Sequence, residues 1–340
     1  MRVAWFAVLA LVVLALLLVG GCGGHDGQVP PVPGPGPEGA TFVGKKVCAK
    51  CHEGPAGGYV NSPHGKNFKD PASNGAHADL INGNGGACAP CHVTGFEEPT
   101  GWTSSAVTPQ LDGIGCEECH GAGGKHAGEP GTSNINRVPQ AQNTCWDCHV
   151  PSYKYLKTTP PITNDATLAG TAPGAVKPHY RETPFLLGYL GFDLAQQEGP
   201  HAQVENTCVT CHLNVKSGHK HGADGLAADF EACAACHGTA AAAQSMAEEF
   251  KKEINADLVK IGGDTAGAPG TPDANAAGGL LAAFATKHAI DLANNTNPTD
   301  SDVRAYKAAR YDYLYVIGGP AIHNPPFAEK LVEDTKRLLK

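Results

Sequence analysis

Residues 115–126 read GCEECHGAGGKH. Cys116 and Cys119 are separated by two glutamates, and His120 follows the second cysteine directly. A run of Gly and Ala then leads to a second histidine, His126. Two thiols, an adjacent imidazole and another imidazole on a flexible segment are a donor set suited to a cofactor that contains a metal.

The same pattern, Cys-x-x-Cys-His, occurs six times, and we number the copies motifs 1 to 6 in chain order. Its cysteines are Cys48, Cys51, Cys88, Cys91, Cys116, Cys119, Cys145, Cys148, Cys208, Cys211, Cys233 and Cys236. The histidines that follow them are His52, His92, His120, His149, His212 and His237. Of the 13 cysteines only Cys22 lies outside the pattern, so the repeat accounts for the cysteine content.

Cys-x-x-Cys pairs serve as redox dithiols, as halves of zinc sites and as attachment points for c-type haem. A dithiol, a zinc site or a disulfide framework gives no reason for a histidine after the second cysteine in every copy. Haem attachment does, because the two thiols bond to the porphyrin and the next residue coordinates the iron. The sequence therefore predicts six covalently attached haem c groups, one for each motif.

The composition agrees with an interior filled by cofactors. Aromatic residues make up only 6% of the chain, which contains 43 glycines and 26 prolines. Such a chain has few large apolar side chains for a core, and porphyrin faces can replace them as buried apolar surface. We predict a mainly α fold with much irregular loop and little or no β structure, built around stacked haems. The net charge of −8 and the lack of a basic stripe argue against nucleic acid as a partner.

The first residues are typical of an export signal. A basic start precedes an apolar run over 3–19, and small residues lead to Cys22. The sequence LVGGC resembles a bacterial lipobox, which predicts a signal peptide over 1–21 and a lipidated Cys22; an uncleaved membrane anchor is the alternative. Residues 22–41, rich in Pro and Gly, form a predicted tether. We expect an exported protein, lipid-anchored to the outer membrane and facing the periplasm or the cell surface.

Each iron also needs a sixth ligand if the haems are to be saturated. Methionine is scarce, since only Met246 remains once Met1 is removed with the signal, so histidines outside the motifs are the candidates. Those in Gly- or Pro-rich loops near a motif, which can approach a flat porphyrin closely, are His64, His126, His179, His201 and His219. The less favoured histidines are His221, which rivals His219, then His77, His288 and, in the predicted tether, His25.

Residues 241–340 contain no further motif and form the second predicted unit after the haem-binding region 42–240. Apolar residues recur there at every fourth position, as on one face of an amphipathic helix, at Met246, Phe250, Ile254 and Leu258. A linker rich in Gly, Ala and Pro is predicted over 262–279. Further helices are predicted near 280–294, near 301–317 and from Pro325 onwards.

His323 follows the helix stop Gly-Gly-Pro and precedes Asn-Pro-Pro. A histidine held between two helices in this way can be presented to a haem bound far upstream, so we predict a distal ligand. A helical segment that only caps the haems is the alternative. The tyrosines of the preceding helix are expected to pack either on porphyrin edges or on other helices; they are Tyr306, Tyr311, Tyr313 and Tyr315.

Two parts of the chain resemble known cytochrome families. NSPHGK at 61–66 together with GCEECHGAGGKH resembles the tetrahaem cytochromes c that accept electrons from hydroxylamine oxidoreductase. Residues 201–238 and the stretch GGPAIHNPPFAEK at 318–330 resemble larger multihaem cytochromes related to pentahaem nitrite reductase. The resemblance implies distal ligands at His64, His126, His179, His201, His219 and His323. Those reductases carry Cys-x-x-Cys-Lys at the catalytic haem, and this chain has none, which argues against nitrite reduction.

The function that follows is electron conduction. Haems with two histidine ligands have no open position and can only gain and lose electrons, at potentials that suit anaerobic respiration. The expected partners are other cytochromes or an extracellular electron acceptor such as a metal oxide. One alternative is an enzyme that reduces a small nitrogen or sulfur oxyanion at one open haem. Another is a subunit of a polymeric cytochrome filament.

Overall fold

The computed structural model describes residues 40–52, 59, 62–66, 68, 88–131, 142–149, 168–176, 178, 182–213, 228–295, 300–317 and 320–340. This part of the chain is mainly helical, with irregular loops and one two-stranded sheet, which confirms the predicted fold class. Outside it lie the signal peptide, most of the tether, and Cys22, His25, His77, His179, His219 and His221. None of the helices that could be searched, those within the described ranges, has the length and apolarity needed to cross a membrane.

The helices are named in chain order. They are α1 (Lys45–Cys48), α2 (Pro63–Lys66), α3 (Ala89–His92), α4 (Cys116–His120), α5 (Gly124–Gly128), α6 (Gln142–His149), α7 (Glu182–Leu186), α8 (Thr207–His212), α9 (Phe230–His237), α10 (Ala240–Gly262), α11 (Gly279–Lys287), α12 (Ser301–Ile317) and α13 (Pro325–Leu338). Short 3-10 helices, each beginning with proline, span Pro109–Leu111, Pro173–Ala175, Pro200–Gln203 and Pro320–His323. Proline suits a first helical position because its fixed φ is already helical and no N–H is needed there.

A large apolar cluster is centred on α12, which packs on α10, α11 and α13. Tyr313 and Tyr315 on this helix are fully buried, and Phe185 and Phe192 from the preceding region join them. The Tyr315 hydroxyl donates to Tyr189 O at 2.9 Å. The α12 tyrosines therefore pack within a protein core, against other helices, which is one of the two alternatives that the sequence left open.

A smaller apolar cluster lies around motifs 2 and 3. Its buried members are Phe68, Ala89, Val93, Trp102 and Leu111. The Trp102 Nε1–H donates to Asp112 Oδ1 at 2.9 Å, and Val93 and Asp112 form an isolated antiparallel bridge. The residue that follows motif 2 is thereby fixed to the segment that leads into motif 3.

The α10 helix and the predicted linker after it differ in part from the sequence expectation. Ile254 and Leu258 of the apolar stripe are buried, whereas the side chain of Met246, the first residue of the stripe, is 54% exposed. Only the second half of α10 is therefore packed against the C-terminal core. Within the predicted linker, β1 (Asp264–Thr265) and β2 (Ala268–Pro272) form an antiparallel hairpin. Gly267, with a φ of 78°, permits the tight turn between them.

The helix predicted near 280–294 is also shorter than expected, because α11 ends at Lys287. His288 caps it, and the next residue, Ala289, has a positive φ of 51°, which an α-helix cannot continue through. The His288 Nδ1 atom lies 2.6 Å from Asp302 Oδ2 on α12. That bond fixes the corner between the two helices.

Three charged residues of α12 are buried and hold neighbouring loops through the backbone. Arg310 donates to Val176 O at 2.8 Å and to Asn275 O at 3.0 Å, and Lys307 donates to Leu168 O. Asp312 Oδ1 accepts a hydrogen bond from Phe192 N–H at 2.9 Å. Burial raises the pKa of the Asp312 carboxyl well above its ordinary value.

We predict that Asp312→Asn stabilises the protein and that the gain grows with pH. The native pKa of Asp312 lies above the unfolded one, so its favourable contribution is present at acid pH and is lost as the pH rises towards the native pKa. Asparagine keeps the acceptor for Phe192 and has no charge to bury, which is worth on the order of 1–3 kcal/mol at pH 8. Thermal unfolding of the haem-loaded protein at pH 5 and pH 8 measures this; a gap that does not widen with pH would contradict it.

Candidate haem-binding site

Each motif lies on or against a short helical turn. Motifs 3 to 6 fall within α4, α6, α8 and α9, and motif 2 begins at Cys88, the N-cap of α3; all five helices end at the motif histidine. In motif 1 the turn continues past α1, since His52 N–H donates to Cys48 O at 3.0 Å. Residues three and four apart on a helix share one face, so both thiols and the imidazole of a motif point the same way. The motif cysteines are half-buried or exposed, as attachment to a group outside the helix requires.

Four motif histidines face a second histidine from a distant part of the chain. The ring centroids of His52 and His126 are 6.1 Å apart, and those of His64 and His149 are 6.0 Å apart. The His201 and His237 rings are separated by 6.1 Å, and the His212 and His323 rings by 6.0 Å. The predicted candidates His64, His126, His201 and His323 are thus each brought to a different motif.

This spacing is the one that a shared metal ion imposes on two imidazoles. Two metal–nitrogen bonds of about 2.0–2.1 Å, added to the two ring radii, separate the centroids by about 6 Å. Rings packed in the protein core span this distance too, from 4.3 Å for Phe284 and His288 to 6.0 Å for Tyr311 and Tyr315, so the pairing of a motif histidine with a distant histidine is what indicates a shared iron. The four pairs therefore fit an iron held between them, with the thiols of the same motif beside it.

Hydrogen bonds at Nδ1 orient three of these rings. His149 Nδ1 lies 3.1 Å from Glu182 Oε2, and His126 Nδ1–H donates to Gly131 O at 3.1 Å. His201 Nδ1–H donates to Ile322 O at 2.8 Å. With Nδ1 occupied, Nε2 is the nitrogen left to bind a metal, and a carboxylate partner such as Glu182 raises the basicity of the ligand.

Burial keeps two of the distal candidates neutral. It lowers the pKa of His323 to about 4, with the neighbouring His212 adding to the effect. It also lowers the pKa of His64, and His149 opposite contributes in the same direction. A histidine must be neutral to coordinate a metal, so these environments favour the state that binds.

Comparison with known proteins also supports haem binding. Residues 47–121, which contain motifs 1 to 3, match the family described as cytochrome c554 and c-prime. Cytochrome c-554 of Nitrosomonas europaea is 34% identical over 99 residues, which is 26% of this chain and 42% of that protein. This chain resembles the multihaem c-type cytochromes.

Two solved structures of multihaem cytochromes are also similar. The outer cell wall cytochrome OcwA is matched over 88% of this chain and 100% of its own, at 15% identity and a TM-score of 0.34. The undecahaem cytochrome from the S-layer of Carboxydothermus ferrireducens is matched over 87% of this chain and 45% of its own, at 16% identity and a TM-score of 0.45.

The predicted iron ligands outside these four pairs are His92, His120, His179 and His219. His92 and His120 end α3 and α4, and the candidates His179 and His219 lie outside the described residues. His288, the less favoured candidate, is bonded to Asp302 and packed on Phe284.

Asn324 is a site residue that the sequence reasoning missed. It follows the distal candidate His323, is fully buried, and caps α13 by accepting from Phe327 N–H. Its Nδ2 donates to Gln197 O at 2.7 Å and lies 3.3 Å from Phe185 O. An asparagine directly before Pro-Pro is a helix-start signal that could have revealed the cap, although not the long-range bonds.

We predict that Asn324→Ala lowers the free energy of unfolding by about 3 kcal/mol, because it leaves several buried backbone groups without partners. Asn294→Ala is the matched control, since Asn294 bonds only within an exposed loop. Denaturation of the haem-loaded protein measures both. Equal losses in the two variants would contradict the role given to Asn324.

Proposed function

We propose that this chain is a multihaem c-type cytochrome that carries electrons through haems with two histidine ligands each. The observation that carries the proposal is the set of four imidazole pairs at 6.0–6.1 Å, each joining a motif histidine to a distant one. Bound haem supplies a one-electron iron couple. With two histidines each, the irons at these four motifs would have no open position, so they would transfer electrons and bind no substrate.

The pairs assign distal ligands to four motifs. His126 serves motif 1, His64 serves motif 4, His323 serves motif 5 and His201 serves motif 6. His179 and His219 remain the proposed ligands for motifs 2 and 3. With this assignment six haem c groups, one for each motif, are all saturated by histidine.

Contacts between motifs support close spacing of the redox centres. The α1 and α4 helices, which carry Cys48 and Cys116, pack together. Motif 1 is therefore adjacent to motif 3. Motif 2 is adjacent to motif 4, where Cys148 Sγ lies 3.9 Å from Pro90 O.

Motifs 4, 5 and 6 continue the series. The α6 and α8 helices, which carry motifs 4 and 5, pack together. The α8 and α9 helices pack together, and Asp229 N–H donates to Cys211 O at 2.7 Å. These contacts make motif 5 the neighbour of both motif 4 and motif 6.

Tyr59 links the two parts of this series. Its buried ring lies 6.5 Å from that of His64, the partner of His149 in motif 4. Burial raises the pKa of its hydroxyl, and the thiols of Cys119 and Cys148, from motifs 3 and 4, act in the same direction. The motifs thus run 1, 3, 4, 5 and 6, with motif 2 beside motif 4. Cys51 of motif 1 and Cys236 of motif 6, at the two ends, are exposed, and so is Cys119 of motif 3.

The setting that we propose is respiratory electron transfer outside the cytoplasm. The support is the predicted signal peptide, the lipidated Cys22 and the tether over 22–41. Together they hold a redox protein at the outer membrane, where other cytochromes or an extracellular acceptor are its partners.

The haem count is tested by intact mass. We predict six covalently bound haems in the mature chain and five after Cys145 and Cys148 are both replaced by alanine, because no thioether can then form at motif 4. Replacing the exposed Ser245 by alanine is the control and should leave six. Any other number in the unmodified chain contradicts the assignment of one haem to each motif.

The ligands are tested by electron paramagnetic resonance of the oxidised protein. We predict low-spin ferric haem throughout, and one haem converted to high spin in each of His64→Ala, His126→Ala, His201→Ala and His323→Ala, because each loses one axial ligand. His288→Ala is the control and should stay low-spin. A substantial high-spin signal in the unmodified protein would contradict full saturation and favour the enzyme alternative.

A further inference from the structure

Glu117, between the two cysteines of motif 3, is a buried carboxylate whose role the motif chemistry does not explain. Its side chain is 3% exposed. Its oxygens accept hydrogen bonds from Val43 N–H at 2.9 Å, Gly44 N–H at 2.6 Å and Gly123 N–H at 2.8 Å. A carboxylate that binds three backbone amides from two distant segments is a clamp between them.

The two clamped segments carry the two histidines of one pair. Val43 and Gly44 lead directly into α1 and motif 1, which ends in His52. Gly123 directly precedes α5, which presents His126. Glu117 therefore fixes both sides of the pair at motif 1, although it belongs to motif 3.

The glycine-rich stretch before His126 is consequently ordered. Gly121 ends α4 with a φ of 77°, which a residue with a Cβ adopts only under strain. Gly124 N–H donates to Thr41 O at 2.8 Å, and a Cβ on Gly124 would lie 2.3 Å from Thr41 Oγ1. The segment that leads to His126 thus passes too close to residues 41–44 for side chains. Glu117 accepts hydrogen bonds from both of the segments that cross here.

The charge of Glu117 has a second consequence. Its three donors are neutral amides, so they satisfy the carboxylate oxygens without cancelling the negative charge. Glu117 directly follows Cys116 of motif 3 and accepts from the N–H of Gly44, which precedes the helix of motif 1. A fixed negative charge beside a redox centre favours its oxidised form, so it lowers the reduction potential.

We propose that Glu117 is a positioning residue that holds His126 opposite His52 and lowers the potentials of the centres at motifs 1 and 3. The proposal rests on the proposed function, because it takes the pair of His52 and His126 as the axial ligands of one haem. It assigns to the first glutamate of CEECH the task of setting the geometry of a neighbouring centre.

The test compares Glu117→Gln with Glu118→Gln in the haem-loaded protein. Glutamine keeps the size of Glu117, but its amide nitrogen cannot accept a hydrogen bond, so at least one backbone N–H loses its acceptor. Glu118→Gln removes a charge from the same motif but leaves the bonds to residues 43, 44 and 123 intact, because Glu118 accepts from Gly95 N–H; it is the control for the loss of charge. The readouts are the spin state by electron paramagnetic resonance and the midpoint potentials by spectroelectrochemical titration.

We expect Glu117→Gln to convert part of one haem to high spin, with the signature of His126→Ala, and to raise the potentials of two centres. The double variant with His126→Ala should show no more high-spin haem than His126→Ala alone. A spin state equal to that of Glu118→Gln, or midpoint potentials that stay at the values of the unmodified protein, would overturn the proposal. A largely high-spin unmodified protein would instead refute the proposed function, so the two failures are distinguishable.

A loss of haem attachment in Glu117→Gln can also be measured. If Glu117→Gln accumulates with fewer haems, peptide mass spectrometry shows which motif has lost one. Loss confined to the peptide with Cys48 and Cys51, or to that with Cys116 and Cys119, supports the clamp. Loss spread evenly over the six motifs overturns it.

Discussion

The proposed function depends on one constraint: each Cys-x-x-Cys-His motif must receive a second axial ligand from elsewhere in the chain. One helical turn places two thiols and an imidazole on the same face, so a motif can attach a porphyrin and bind its iron from one side only. The opposite side needs a residue that no such turn can supply. Each motif therefore needs a ligand from elsewhere, and at four of the six motifs the described structure places a distant histidine whose ring centroid lies 6.0–6.1 Å from that of the motif histidine.

The chain supplies distal histidines in two ways. His126 is carried on a short glycine-rich path whose position is set by hydrogen bonds to Glu117 and Thr41. His323 is carried at the corner between two long helices, where Asn324 bonds to the backbone of an upstream segment. The difference follows the location of the apolar residues: among the described residues the large cluster is C-terminal, and motifs 1 to 3 have only a small one. Where apolar packing is limited, directed hydrogen bonds hold the ligand.

The sequence predicts what is local and leaves open what is long-range. Spacing alone places the motif residues on one helical face, and Pro325 marks the start of α13, because both depend on neighbouring residues. The sequence also marks His323 by its position between two helix signals. It does not show that His323 faces His212, since that pairing depends on how α12 and α13 pack. The hairpin at 264–272 was not predicted from the sequence for a similar reason. Glycine and proline indicate a turn, but they do not show which strands pair across it.

The pairing also interlocks the first four motifs. His64 lies in the chain between motifs 1 and 2 but faces motif 4, and His126 lies between motifs 3 and 4 but faces motif 1. Neither motif 1 nor motif 4 can be completed until the chain has folded back across the other. At the far end, His201 donates to the carbonyl of Ile322, the residue before His323, so the ligands of motifs 5 and 6 are coupled through one peptide unit. With the proposed ligands, the contacts that bring each of the four pairs of histidines together also bring neighbouring motifs together, and so set the spacing on which electron transfer would depend.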